Sequence, residues 1–382
     1  MITSRGTACR SSRPLWGEMR SRGPTAYRDH HPAVGAPGGF MRACHRVLLA
    51  CATAACWIGC IVPDPGPGDT LPPTPPPHAP PLVLSYRHLT ANPISDPSQF
   101  PDSELIDLYL PAAVGPATGV VLWVHGGGWV AGDRSGIPAW VLQQVPRGYL
   151  VGSMGYRLAF YDAGGVPRDT FPAAVEDVKL AVRFMKALAR LLGASPRIIV
   201  AGASAGGHLV SFVGATAGEH EPSPIDPALA GFDSTVNAVV DIVGPTDLRA
   251  LATPSSDPFA QLVAADVATF LGCPQPIDTP YTCPPDTDFD GASVNPQLDV
   301  TDPPIYFGYG GIDNLVPAAT HGLPAAARLY QVTGEKLMSW YDLAETAWHT
   351  LDGTQLNMTA LQGFLDAARD GQFDELRTTL PH

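Results

Sequence analysis

The apolar residues of this chain follow two alternating rhythms. A continuous apolar run occupies 120–124 (VVLWV), and further strand-like runs lie at 149–154, 197–200, 236–243, 305–309 and 337–341. A run without polar alternation is what a strand covered on both faces requires. Residues 82–88 and 105–110 read as two more strands that open the folded part. Between the runs the period becomes helical. From Phe171 to about Leu192, the residues Val175, Val178, Val182, Met185 and Leu192 recur at helical spacing. Thr170 is placed to cap this segment and Pro172 falls in its first turn. A second helix is expected over 205–217. Alternation of this kind predicts an α/β fold, with a mostly parallel central sheet and helices on both faces. The stretch 248–300, rich in Pro, Asp and Thr, breaks the rhythm and is expected to cross the top of the sheet as an insertion.

The first 81 residues follow neither rhythm. In 41–60 (MRACHRVLLACATAACWIGC), Arg42 and Arg46 form a basic start, residues 47–58 an apolar core, and Gly59 precedes Cys60. This is the layout of a secretory signal peptide over 41–59. Its Gly-Cys ending resembles the lipobox of bacterial lipoproteins, which implies lipidation at Cys60, although Trp57 stands where leucine is usual. A plain signal peptide is the alternative. Residues 1–40, Arg-rich and aperiodic, read as an overextended start with Met41 the initiator. The apolar core is too short to span a bilayer. Ten prolines in 61–81 make that segment an extended, semi-stiff spacer. The expected organisation is a leader over 1–60, a linker over 61–81 and a folded domain over 82–382. Such a protein is exported to the bacterial envelope, either lipid-anchored or freely secreted.

Charge follows the same division. Eight arginines precede residue 47, against Glu18 and Asp29, whereas beyond it 15 basic residues face 34 acidic ones. That excess argues against nucleic acid or an anionic membrane as a partner, and leaves the membrane only a possible N-terminal anchor. Five of the seven cysteines (Cys9, Cys44, Cys51, Cys56 and Cys60) lie in the leader. Cys273 and Cys283 remain, and in an exported protein such a pair is expected to form one local disulfide. No other Cys or His stands near them at zinc-ligand spacing, so no metal is expected there.

Chemistry in such a sheet belongs at the carboxyl ends of the strands, and three motifs fall there. The first, GASAG, places Ser204 between the strand RIIVA and a helix, with Gly202 and Gly206 as small neighbours. A tight strand-to-helix turn pushes Oγ out of the sheet and sets helix amides behind it. The second, HGGGW, follows VVLWV at His125. Consecutive glycines can turn backbone N–H groups toward a developing oxyanion. A phosphate cradle would need a helix directly after it, which WVAGD does not supply. His125 reads as a loop brace rather than a base. The third is Asp313 in GIDNLVP, after the strand IYFGY, with His349 after the strand LMSWYDL. A serine hydroxyl needs a histidine to take its proton, and the histidine needs a carboxylate. Asp247 is the rival acid; His208, His220 and His321 are rival bases beside or within helices. The run Asp286-Thr-Asp288-Phe-Asp290-Gly291 has the acids of a calcium loop, but Gln297 stands at the twelfth position, so a solvated acidic turn is the reading preferred.

Taken together, LIDLYLP (105–111), VVLWVHGGGWVAGDRSG (120–136), SMGYRLA (153–159), FPAAVEDV (171–178), RIIVAGASAGGHL (197–209) and GIDNLVP (311–317) resemble the α/β-hydrolase superfamily. The resemblance is to its HGGG-type carboxylesterases, the bacterial acetyl-esterase/lipase-like enzymes related to hormone-sensitive lipase. It implies Ser204 as nucleophile, Asp313 as acid and His349 as base. It also implies an oxyanion hole from the amides of Gly127, Gly128 and Ala205, and no cofactor. Two features depart from those relatives: residues 82–118 read as strands rather than a helical cap, and Ala203 precedes the serine where many carry an acid. The expectation is a serine esterase acting on short-chain, acetyl-like esters. The pocket is expected to be bounded by the 248–300 insertion and Trp129. An amide-cleaving relative, of aryl-formamidase or peptidase type, and a surface binding lipoprotein are the alternatives.

Overall fold

Among the described residues there are ten strands, and the eight of the main sheet form from the apolar runs. The sheet opens with β1 (Leu82–Ser85), β2 (Leu105–Tyr109), β3 (Gly119–Val124) and β4 (Tyr149–Met154). A separate two-stranded ribbon follows, made of β5 (Phe160–Tyr161) and β6 (Pro167–Arg168). The sheet then continues with β7 (Ile198–Ala203), β8 (Ala238–Ile242), β9 (Ile305–Gly310) and β10 (Trp340–Ala344). Its eight strands run in the order β1-β2-β4-β3-β7-β8-β9-β10. The first two pairings, β1 with β2 and β2 with β4, are antiparallel and all others parallel. This computed structural model describes residues 79–89, 93–223, 226–253, 258–274, 283–334, 340–349 and 354–373. The expected leader, Cys60 and the linker up to residue 78 lie outside the described residues.

Every residue of β3, β4, β8 and β9 is buried, as parallel strands covered on both faces should be. Side chains alternate between two cores. Val120, Leu122 and Val124 pack with Val178, Val182 and Met185 of helix α1 (Ala173–Leu192) and with Leu209 of α2 (Ala205–Ala215). Val121 and Trp123 point the other way and share a core with Leu361, Phe364 and Leu365. Removing one such side chain, as in Leu122→Ala, costs about 2–5 kcal/mol.

Three expectations need correction. Helix α1 begins at Ala173, and Thr170 caps it through its carbonyl, which accepts from Ala173 N at 2.8 Å, rather than through its side chain. Phe171 precedes a proline, which disfavours helical geometry there. The last strand, Trp340–Ala344, runs three residues past the expected end at 341, and 335–339 are outside the described residues. The insertion is not aperiodic. It contains α3 (Pro258–Phe270) and the one-turn helices Leu248–Leu251 and Phe289–Ala292, and Cys273 is disulfide-bonded to Cys283. Two further helices, α4 (Gly322–Thr333) and α5 (Met358–Asp370), complete the α/β layers. Among the described residues no helix is long and apolar enough to cross a membrane.

Candidate active site

Ser204 stands where β7 turns into α2, with φ 55° and ψ −122°. A non-glycine residue there is strained, and the surroundings hold it. Its N–H donates to Ile242 O at 2.8 Å, and its carbonyl accepts from His208 N at 3.0 Å. The turn is so close to β3 that a Cβ on Gly206 would overlap the carbonyl oxygen of Val124. Behind the serine lies the N-terminus of α2, where unpaired amides and the helix dipole favour negative charge.

Strands β9 and β10 are parallel neighbours, so the loops after them leave the same edge of the sheet. Asp313 follows β9 and His349 follows β10. His349 Nε2 lies 2.9 Å from Ser204 Oγ, and Nδ1 lies 2.8 Å from Asp313 Oδ2. The other carboxylate oxygen, Oδ1, accepts from Leu315 N at 2.8 Å and Val316 N at 3.0 Å. An ionised carboxylate can only accept, so the shared proton sits on Nδ1 and the Nε2 lone pair faces the serine. Chemically, this array can remove the hydroxyl proton as Oγ attacks a carbonyl carbon and can stabilise the imidazolium that results. The Asp313 side chain is fully buried, which keeps water from competing for it.

The glycine loop emerges beside the serine because Val124 of β3 pairs with Gly202 of β7. A Cβ on Gly126 would lie 3.2 Å from Ser204 Cβ. Gly127, Gly128 and Trp129 all have positive φ (116°, 61° and 64°), which folds the backbone back on itself. Val130 and Ala131 both donate to Gly127 O. His125 braces the turn: its Nδ1 lies 2.7 Å from Gly126 O and its ring stacks on Tyr156 at 4.3 Å. The Tyr156 hydroxyl donates to His125 O at 3.1 Å. Burial lowers the His125 pKa. Ala205 is the first residue of α2, across the turn from this loop.

The rival residues have other contacts. Asp247 Oδ1 accepts from Ala250 N at 3.1 Å and so caps the helix Leu248–Leu251. His208 bridges Trp129 Nε1 and Ala292 O in the core, where burial lowers its pKa to about 4. His321 accepts from the amides of Thr246 and Asp247, and burial also lowers it to about 4. His220 packs edge-on against Phe171 and at a tilt against Phe212. Trp129 is not a pocket wall: it is 2% exposed, stacked on Phe270 at 4.8 Å, because its hydrogen bond to His208 draws it inward. Asp288 caps Phe289–Ala292 through Gly291 N. Among the described residues no three His, Cys, Asp or Glu side chains are grouped to hold a metal ion.

A cleft of about 350 Å³ opens beside the acid loop, between Phe259, Val263, Leu315, Pro317 and Thr320. Phe259 lies 6.1 Å from Trp348, whose Nε1 donates to Asn314 Oδ1 at 2.8 Å. One residue of this region carries no signal in the sequence: Asp266, on α3, sets its carboxylate against Gly128.

Known proteins share this frame. Esterase LipC of Mycobacterium tuberculosis is 34% identical over 146 residues, which cover 38% of this chain and 34% of LipC. The chain thus spans about a third of the length of the curated relative it matches there. A truncated carbohydrate esterase from gut microbiota superposes with a TM-score of 0.56 at 22% identity, covering 76% of this chain and 95% of that one. Esterase Est2 from the planctomycete Thermogutta terrifontis does so with a TM-score of 0.51 at 20% identity, over 77% and 92% of the two chains. These likenesses show the fold, the α/β-hydrolase fold that the sheet order describes. The family model BD-FAE matches residues 106–323, more than half of the chain, and the chain therefore belongs to the BD-FAE family of α/β-hydrolases.

Proposed function

We propose that the protein is a serine esterase that hydrolyses short-chain carboxylic esters. The observation that carries this reading is the single imidazole of His349, 2.9 Å from Ser204 Oγ and 2.8 Å from Asp313 Oδ2. Ser204 Oγ attacks the ester carbonyl carbon while its proton passes to His349 Nε2. The amides of Gly127, Gly128 and Ala205 receive the negative oxygen of the tetrahedral intermediate. That intermediate collapses, His349 returns the proton to the departing alkoxide, and the acyl group stays on Ser204. Water, deprotonated by His349, then attacks the acyl-serine and releases the carboxylic acid. These steps call for no cofactor or metal.

Family membership and the relatives named as esterases support ester hydrolysis. The test is labelling with a fluorophosphonate followed by peptide mapping, joined to a panel of nitrophenyl esters, an acetylated saccharide and an anilide. Label on Ser204 and turnover of acetyl esters are expected, with Ser204→Ala lowering kcat by roughly 10⁶. Substantial hydrolysis by pure Ser204→Ala protein, or preference for the anilide, refutes the reading. We also propose export through residues 41–60, with Cys60 lipidated and 61–81 as spacer. The disulfide Cys273–Cys283 supports an oxidising compartment. Incorporation of labelled palmitate that Cys60→Ser does not abolish counts against it.

A further inference from the structure

The imidazole of His321 is bonded on one edge and not on the other. Nδ1 lies 3.3 Å from the amide nitrogens of both Thr246 and Asp247. Amides only donate, so Nδ1 presents its lone pair and the ring proton sits on Nε2. The residue is 1% exposed, yet among the described residues nothing accepts from Nε2. A buried N–H without an acceptor is costly, and folds satisfy nearly all such groups. His321 lines the cleft beside the acid loop, together with the apolar Leu251, Phe259, Val263, Leu315 and Pro317. The cleft therefore offers one buried donor between apolar walls. Burial keeps the ring neutral at ordinary pH, and the carboxylates of Asp247 and Asp313 both act on it. An anion entering here would meet those two like charges. A neutral acceptor meets no such repulsion.

We propose that His321 is a specificity-determining residue whose Nε2 donates to a carbonyl oxygen carried by the alcohol part of the ester substrate. The inference rests on the esterase reading above and deepens it, since it defines the substrate class as esters of alcohols that bear a second carbonyl on an apolar chain. The alcohol side follows from the mechanism. The departing alkoxide takes its proton from His349 and so stands beside that ring, while the acyl oxygen faces the glycine loop. The cleft opens on the side of His349: Phe259 lies 6.1 Å from its chain neighbour Trp348, and Asn314, another wall, accepts from Trp348 Nε1 at 2.8 Å. Helix α3 joins the two sides, with Asp266 against Gly128 and Phe259 at the cleft, about 10 Å apart at 1.5 Å per residue. A carbonyl suits Nε2 better than a hydroxyl does, because it accepts without bringing a further donor that needs a partner.

The test uses 4-oxopentyl, 5-oxohexyl and 6-oxoheptyl acetate, each paired with the ester that has a methyl in place of the ketone oxygen. The full chain and its His321→Asn and Val263→Phe variants are assayed, with 4-nitrophenyl acetate as a separate gauge of esterase activity. For at least one pair the wild type is expected to favour the keto ester by roughly twofold to tenfold in kcat/KM, the range for one neutral hydrogen bond. In His321→Asn, Oδ1 still accepts from the Thr246 and Asp247 amides but no donor reaches the place of Nε2, so the ratio falls toward one through loss on the keto ester. Val263→Phe fills the cleft from α3, should erase the preference as well, and covers the case in which the asparagine variant fails to fold. A merely structural role for His321 would lower both members of a pair together and leave the ratio unchanged, which overturns the proposal. If the wild type cleaves 4-nitrophenyl acetate yet shows no preference in any pair, the proposal falls while the esterase reading stands. If it cleaves none of these esters, both fall.

Discussion

Exchanging Asp313 for Asn keeps the shape of the site and reverses one hydrogen bond. Oδ1 of Asp313 faces two backbone donors, Leu315 N at 2.8 Å and Val316 N at 3.0 Å. An NH₂ group cannot sit there, so in Asp313→Asn the amide oxygen takes that side. The NH₂ is then forced toward His349 Nδ1, where Oδ2 now lies 2.8 Å away. Nδ1 has to accept from it, which moves the ring proton to Nε2. That nitrogen then presents N–H to Ser204 Oγ instead of a lone pair, and the proposed base is lost by tautomer alone. The same reversal in serine proteases costs about 10⁴ in kcat, or about 5.5 kcal/mol of barrier. Asp247→Asn is the matched control. Its Oδ1 caps the Ala250 amide, and Asn caps a helix about as well as Asp, so activity should stay within about twofold. The assay is initial-rate hydrolysis of 4-nitrophenyl acetate by both pure variants, with melting curves to verify folding. Asp313→Asn that keeps more than roughly a tenth of wild-type kcat, or Asp247→Asn that loses more than it, would refute the assignment of the acid.

Other outcomes follow from the same structure. Burial pushes Asp302 up to about 7, whereas an unfolded aspartate titrates near 3.9. Between those values the folded chain keeps a proton that the unfolded chain has lost, so stability falls as pH rises through that window and levels off above it. Asp302→Asn, which still accepts from Asp299 N, should gain melting temperature on the wild type between about pH 4 and 7; a pH-independent gap would contradict this. Replacing both Cys273 and Cys283 with Ser should cost about 2–3 kcal/mol, read from urea melts, and two free thiols in unreduced protein would remove its basis. Each buried methylene gains about 0.8 kcal/mol only while apolar wall remains, so kcat/KM should peak between acetyl and butyryl esters. Best turnover of long-chain or emulsified esters would make the protein a lipase instead.

The sheet is legible in the sequence because its strands are buried on both faces and read as unbroken apolar runs, VVLWV above all. Ser204 is legible for a local reason, since strand, turn and helix lie within 13 residues of RIIVAGASAGGHL. Asp313 and His349 need only the chain order of strands to be placed. Asp266 is not legible, because its neighbour Gly128 is remote in sequence and nothing local marks the relation. Helix α3 escapes notice although Phe259, Leu262, Val263, Val267 and Phe270 recur at helical spacing, because the Pro, Asp and Thr around it make the whole stretch read as a loop. Trp129 misleads because a large aromatic beside a glycine loop suits a pocket wall, and only the placement of His208 and Phe270 shows that it is core.

The position of β10 at the rim of the sheet has a consequence for how the molecule ages. Ser204 rises from β7, which is clamped between β3 and β8, whereas His349 hangs from β10, whose sole strand partner among the described residues is β9. Proteins open first where fewest neighbours hold a strand, well before they unfold as a whole. Warming should therefore detach His349, the proposed base, while Ser204 still sits in its strained turn, leaving a chain that is folded and chemically silent. On this view the working lifetime of the proposed chemistry is set at the rim. Reinforcing the middle of the sheet would prolong the fold without prolonging its activity.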